Sequence, residues 1–124
     1  IYDVNALGPL RLTRALLPRL ARGGVLVHVS SRLASVTNAD GLAAPYRMAK
    51  AALNMLSRTL DVELRGRGVR SVAVSPGWVR TDMGGPEAPL SVAESTERLA
   101  ALVEGVGDAH GGRFLDLDGR DVPF

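Results

Sequence analysis

The 124-residue chain contains no cysteine, few aromatic residues and no long apolar run. Without cysteine it can form no disulfide framework and carry out no thiolate chemistry. Its two histidines, His28 and His110, are too few for a structural zinc site, and no metal is predicted. With aromatic residues at 4%, the core is expected to consist mostly of Leu, Val and Ala.

Neither charge dominates the composition. The net charge is +2, and the pI of about 9.7 comes from scattered arginines, so no nucleic-acid partner is expected. Neither a signal peptide nor an apolar run of about 18 residues is visible, so we expect no membrane partner and a cytoplasmic location. A composition of 46% hydrophobic and 23% charged residues is that of one globular domain. The chain begins with Ile1, which suggests a start inside a longer reading frame.

Lysine is also nearly absent, because Lys50 is the only lysine among 15 basic residues. It follows Tyr46 by four residues, a spacing that places both side chains on one face of a helix. An ammonium is a compact point charge, whereas a guanidinium is planar and delocalised. A site that needs a point charge beside a phenol would therefore retain a lysine here.

The segment around Tyr46 is predicted to be a helix. Pro45 suits its first turn, and apolar residues follow at helical spacing. A phenolate in that turn would be stabilised by the helix dipole and by the Lys50 ammonium, which would let Tyr46 act as a general acid or base nearer neutral pH. The alternative is an ordinary surface pair on an amphipathic helix.

The chain as a whole predicts an α/β fold. Apolar periodicity indicates a helix over 4–20, a strand over 25–29, the Tyr46 helix, a strand over 69–74, a helix with Leu99, Leu102 and Val103 after a Ser91–Glu94 capping box, and a strand over 113–117. This order, α-β-α-β-α-β, predicts a parallel sheet with helices on both faces. The first two strands are nearly continuous apolar runs, which suits burial on both faces.

Polar residues follow the predicted strands, at the sheet edge where ligands bind in such folds. Ser30 and Ser31 follow the first strand, and the segment 76–81 follows the second. One crevice is expected to hold Ser31, Tyr46, Lys50 and Thr81. Alternatively, Ser31 is a turn former and Pro76-Gly77 simply ends a strand.

Two other kinds of site are disfavoured. Ser31 lacks the GxSxG context of a serine hydrolase. His28, inside a strand, is expected to be a packed core residue. Asp116, Asp118 and Asp121 resemble a calcium loop without its final glutamate, and we interpret them as turn residues.

Four ordered motifs resemble the C-terminal half of a short-chain dehydrogenase/reductase. They are VNALGPLRLTRALLP, GGVLVHVSSRLAS, YRMAKAALNML and VSPGWVRTDMGG, and the ending GGRFLDLDGRDVPF also matches. More narrowly, they resemble the sniffer-type and C-factor-like carbonyl reductases. The resemblance implies that residues 1–124 are the C-terminal portion of one Rossmann-type, doubly wound domain.

The resemblance also implies an activity. It is NAD(P)(H)-dependent interconversion of a carbonyl, an aldehyde or ketone, and an alcohol, with NADP(H) favoured over NAD(H). Tyr46 would be the acid or base, Lys50 would hold the nicotinamide ribose, Ser31 would polarise the carbonyl, and Asn5 would position a relay water. Pro76, Gly77, Val79 and Thr81 would contact the cofactor. The segment 84–90 would belong to the substrate loop, and the full-length protein would be a homodimer or homotetramer.

The backbone around Asn5 supports a hypothesis of its own. Pro9 has no N–H, so the carbonyl of Asn5 lacks its α-helical partner and is free to bind a relay water. In the competing interpretation, Gly8-Pro9 marks a kink or a late helix start.

A glycine-rich phosphate-binding turn is absent from these residues. We therefore expect the 124-residue chain alone to be inactive, poorly soluble or oligomeric, and unable to bind dinucleotide. A second function stays open: a non-catalytic, truncated member acting in interaction or C-factor-like signalling. The second apolar row of the Tyr46 helix, Ala52, Met55, Thr59 and Val62, would suit a helix-pair contact between subunits, or it could equally be covered within one subunit.

Overall fold

The computed structural model describes all residues, 1–124. It contains three strands and three α-helices. Their bounds are α1 Gly8–Leu16, β1 Val25–Val29, α2 Ala44–Leu64, β2 Arg70–Val74, α3 Val92–Glu104 and β3 Phe114–Leu115. A π-helical turn, Asp3–Leu7, leads into α1, and a 3₁₀ turn, Leu17–Arg19, follows it. The predicted α/β order is confirmed.

The three strands form one parallel sheet in the order β1-β2-β3. Leu60 and Leu64 of α2 pack with Leu26 of β1 and with residues that follow α1, whereas Leu99 and Leu102 of α3 pack on the opposite face. Helices therefore cover both faces, as predicted. Because both connections step in the same direction across the sheet while α2 and α3 lie on opposite faces, the two crossovers have opposite handedness. One of them departs from the right-handed rule.

A buried polar row on α2, formed by Asn54, Ser57 and Asp61, was missed by the sequence reasoning. The Asp61 carboxylate accepts the Ser71 backbone N–H at 3.1 Å and guanidinium N–H groups from Arg65 at 3.0 Å and Arg70 at 3.1 Å. A buried carboxylate needs such a full set of partners. The row ties α2 to β2, which fixes where the N-terminus of α2 lies relative to the sheet edge.

Two sequence predictions need correction. Strand β1 contacts both helical layers but is less buried than predicted: with a neighbouring strand on one side only, its first three residues are partly buried and Val29 is exposed. Strand β3 is shorter than predicted, because the Asp116 carboxylate accepts the N–H groups of Asp118 and Arg120 and turns the chain there.

None of the helices combines the length and the apolar character needed to span a membrane.

Candidate functional site

A cleft of about 430 Å³ opens at the carboxyl edge of the sheet. It brings together six of the predicted site residues, which lie on three separate segments: Ser31, Tyr46, Pro76, Gly77, Val79 and Thr81. Parallel strands end at the same edge, and α2 begins there, so the topology alone places these residues together.

Lys50 and Asn5 lie in a neighbouring groove of about 540 Å³, along the outer edge of β1. The sequence predicted one crevice for Lys50 and the cleft residues; in the structure Lys50 lines the groove, and Ser31, Tyr46 and Thr81 line the adjoining cleft. The Lys50 ammonium still lies 5.8 Å from the centroid of the Tyr46 ring, as the four-residue spacing predicted. It donates a hydrogen bond to the Val29 carbonyl at 3.0 Å.

Lys50 is half-buried, and this desolvation lowers the pKa of its ammonium. The bond to Val29 engages one of its three N–H donors. Two donors therefore remain for a ligand that enters between the groove and the cleft.

The two serines after β1 face different surroundings. Ser30 is buried and donates to the Asn54 side chain at 2.6 Å. Ser31 lies in the cleft, where its oxygen accepts the Leu33 N–H at 3.2 Å and caps the 3₁₀ turn Arg32–Ala34. Its hydroxyl proton stays available, so Ser31 can donate to an oxygen in the cleft.

The start of α2 places Tyr46 beside the cleft. Pro45 lies in the first turn, as predicted, and the Tyr46 N–H donates to the Ala43 carbonyl at 3.0 Å. Ala43 precedes the helix in the left-handed region, with φ of 56°, and is the only non-glycine residue with positive φ. This conformation costs roughly 1–2 kcal/mol for an L-residue.

The segment after β2 forms the far wall of the cleft. Gly77 has φ of 82°, and a Cβ there would meet Leu90 at 2.6 Å, so glycine is required. The Thr81 hydroxyl oxygen accepts the Gly84 N–H at 3.0 Å. The same hydroxyl therefore stabilises the loop and also lines the cleft. The Trp78 indole donates to the Gly84 carbonyl at 2.8 Å.

Trp78 and Met83 are cleft residues that sequence reasoning did not select. Both are large, apolar and exposed. Their signal was a tryptophan and a methionine in an otherwise small, polar loop directly after a strand.

Asn5 lies in the π-helical turn, with its side-chain amide donating to the Ile1 carbonyl at 3.0 Å. The Gly8 N–H donates to the Asp3 carbonyl, and α1 begins at Gly8. A late start of the α-helix at Gly8-Pro9 therefore agrees with the structure. The water-binding role of the Asn5 carbonyl stays a prediction.

His28 lines the same groove as Asn5 and Lys50 and is only 7% exposed. It was predicted to be a packed core residue, and its burial is confirmed. Its Nε2 has no hydrogen-bond partner, and burial lowers the pKa of its imidazole.

Comparisons with known proteins agree with this geometry. A family model described as enoyl-(acyl carrier protein) reductase matches residues 1–110. A short-chain dehydrogenase of Neurospora crassa is 34% identical over 99% of the chain, which corresponds to 54% of that protein. The chain belongs to the short-chain dehydrogenase/reductase family.

The C-signal protein of Myxococcus xanthus is 46% identical to this reductase-family chain over 99% of its length, and the match covers 76% of that protein. Among solved structures, carbonyl reductase Sniffer of D. melanogaster superposes with a TM-score of 0.95 at 33% identity, covering 99% of this chain and 55% of its own. A Pseudomonas aeruginosa carbonyl reductase in complex with NADP has a TM-score of 0.84 at 42% identity, covering 100% and 54%. The chain thus spans about half the length of these solved relatives.

Proposed function

We propose that the full-length protein is an NAD(P)(H)-dependent oxidoreductase that reduces an aldehyde or ketone to an alcohol, or catalyses the reverse reaction. One observation carries the proposal. The only lysine lies 5.8 Å from the ring of Tyr46, next to a cleft that also contains Ser31. A phenol can supply the proton for carbonyl reduction, a hydroxyl can donate a hydrogen bond to the carbonyl oxygen, and a fixed cation can stabilise the phenolate.

Ser31, Tyr46 and Lys50 would each have a separate role in the reaction. Ser31 donates its hydroxyl proton in a hydrogen bond to the carbonyl oxygen, where negative charge develops. Tyr46 transfers its phenolic proton to that oxygen, and the Lys50 ammonium stabilises the phenolate that results. Asn5 would position a relay water in the groove that it shares with Lys50, and Tyr46 would be reprotonated from that water through Lys50. In the oxidation direction, the phenolate accepts the alcohol proton.

A bound nicotinamide cofactor would supply or accept the hydride. The residues present fit the nicotinamide end of such a molecule, because Lys50 has two N–H donors left for ribose hydroxyls. Tyr46, Pro76, Gly77, Val79 and Thr81 surround the same cleft. A pyrophosphate requires a glycine-rich turn at a helix N-terminus, and residues 1–124 contain none. NADP(H) is preferred in this proposal, because the similar P. aeruginosa structure is a complex with NADP.

The relative named C-signal favours a second candidate function. In that case the protein would keep the fold and act as a signalling or interaction protein without turnover. The exposed Met55 and Val62 on α2 would then belong to the contact surface.

The two candidates differ in the effect of Tyr46→Phe. We expect NADPH oxidation by the full-length protein, assayed with a panel of aldehydes and ketones, to fall about 10²- to 10⁴-fold in this variant, because the acid is removed. Lys50→Arg keeps the charge but replaces the point charge by a planar group, and should reduce kcat at least about tenfold. Tyr2→Phe is the matched control, since Tyr2 is the other tyrosine and is not a cleft residue.

Turnover that survives in Tyr46→Phe would rule out the proposed acid. Binding of NADPH without turnover of any substrate in the panel would favour the signalling candidate instead.

A further inference from the structure

Arg47 lies next to Tyr46 and is the least exposed arginine of those in ion pairs, with a side chain that is 11% exposed. Its guanidinium contacts three points of the loop between Ser31 and α2. Nε donates to the Leu42 carbonyl at 2.6 Å, Nη1 donates to the Leu33 carbonyl at 3.3 Å, and Nη2 pairs with the Asp40 carboxylate. A rigid fork of this kind fixes the relative positions of its acceptors.

The start of α2 depends on these contacts. Ala43, the N-cap residue, provides no side-chain cap and adopts a left-handed conformation. Such a conformation persists only where the surroundings determine it. Arg47 donates to the carbonyl of Leu42, the residue that precedes Ala43. Asp40 accepts the Leu42 N–H at 3.1 Å. The first turn of α2, which carries Tyr46, is thus anchored from the loop.

The same guanidinium reaches the segment that carries Ser31. Leu33 lies in the 3₁₀ turn whose N-cap is Ser31, and the Leu33 N–H donates to the Ser31 oxygen. Arg47 binds the carbonyl of that same residue. One side chain therefore connects the turn of Ser31 to the helix start of Tyr46.

We propose that Arg47 is a positioning residue that holds Ser31 and Tyr46 at the separation needed to contact one carbonyl oxygen. The proposal rests on the proposed function. Arg47 lines neither the cleft nor the groove, so it acts through the two residues that it connects. The alignment of reacting groups strongly affects the reaction rate, because displacing one of them by about 1 Å can change the rate about 100-fold.

The test uses Arg47→Met, Arg47→Lys and Asp40→Asn in the full-length protein. We expect Arg47→Met to lower kcat by about 100-fold with little change in KM, because ground-state binding is retained while the transition-state alignment is lost. Arg47→Lys keeps the charge for Asp40 but loses the fork, so its kcat should lie between those of wild type and Arg47→Met. Asp40→Asn keeps both carbonyl contacts and should have the mildest effect. Arg120→Met, at an exposed arginine far along the chain, controls for loss of a positive charge.

Two further measurements distinguish a positioning role of Arg47 from a general contribution to the stability of the protein. In a Ser31→Ala background, Arg47→Met should reduce kcat by a smaller factor than in wild type, because part of its effect passes through Ser31. Hydrogen exchange of peptides covering residues 33–47 should accelerate in Arg47→Met, while peptides of β2 keep their protection.

The proposal is overturned if Arg47→Met leaves kcat unchanged. It is also overturned if Arg47→Met reduces kcat by the same factor in the Ser31→Ala background as in wild type, or if hydrogen exchange rises equally throughout the protein. A folded wild-type protein that turns over no substrate would instead refute the proposed function, and the positioning role with it. The wild-type assay therefore distinguishes the two failures.

Discussion

At the scale of single residues, burial changes the chemistry of two basic side chains that share one groove. Desolvation lowers the pKa of both His28 and Lys50, because each charged form loses hydration there. The consequences differ. Lys50 retains a hydrogen bond to the Val29 carbonyl, whereas Nε2 of His28 has no partner. His28 is therefore expected to be neutral in the folded protein near neutral pH.

This neutrality predicts a pH-dependent stability. The folded pKa of His28 is below its ordinary value of 6.5, so as pH falls below about 6.5 the unfolded chain binds the proton first. Stability should then decrease by at most about 1.4 kcal/mol per pH unit, until the folded pKa is reached. Denaturant midpoints of the full-length protein between pH 7.5 and 5.5 would measure this slope. His28→Asn should flatten it and His110→Asn should not; an equal slope in wild type and His28→Asn would contradict the assignment.

At the scale of elements, the two helices that follow a strand of the sheet begin differently. Helix α3 begins with a full capping box, in which the Glu94 N–H donates to the Ser91 oxygen at 3.1 Å and the Ser91 N–H donates to Glu94 at 2.7 Å. Helix α2 has no side-chain cap and is anchored by Arg47. Helix α3, which carries neither Ser31 nor Tyr46, is thus capped by its own residues. Helix α2, which carries Tyr46, depends on tertiary contacts for its start.

Removal of the α3 cap should have a purely structural effect. We expect Ser91→Ala to reduce the free energy of unfolding by about 1 kcal/mol, because the Glu94 N–H in the first turn loses its acceptor. The bond from Ser91 is also the main reason that the pKa of Glu94 is lowered, so the part of the capping box that the Glu94 carboxylate provides should be lost as pH falls through that lowered pKa. Urea titration would measure the loss. Thr96→Ala, inside the same helix, is the control, and a Ser91→Ala variant as stable as that control would refute the contribution of the cap.

At the scale of the whole molecule, the sheet has an open side. The outer edge of β1 faces the groove of about 540 Å³. Apolar side chains of α1 border it, and Leu12 is 61% exposed. An unpaired strand edge beside apolar surface promotes association.

The 124-residue chain by itself is therefore expected to self-associate and to bind no NADPH. Light scattering after size exclusion would report the first property, and a fluorescence titration with NADPH the second. The full-length protein is the control for both. A monomeric 124-residue chain with a sharp thermal transition and measurable NADPH affinity would contradict this expectation.

Local patterns predicted much of the fold and part of the site. The bounds of β1, the capping box of α3 and the Tyr46–Lys50 spacing depend on residues close in sequence, where helical and strand periodicity applies. The polar row of α2 was not predictable in this way, because Asn54, Ser57 and Asp61 resemble a solvated face until the sheet supplies their partners, Ser30 after β1 for Asn54 and Ser71 of β2 for the other two. The three acceptors of Arg47 are likewise brought together only by the loop fold.

The sequence by itself determined the order of elements, the sheet edge at which polar residues collect and the pairing of Tyr46 with Lys50. These features follow from chirality, hydrogen-bonding period and the alternation of strands and helices, all of which act over a few residues. Only the tertiary structure decided that Lys50 faces the groove with Asn5 and His28, that Ser30 donates its proton to Asn54 whereas Ser31 keeps its hydroxyl proton available in the cleft, and that Arg47 connects Ser31 to Tyr46. These depend on contacts between distant segments, whose geometry is set by packing rather than by local preference.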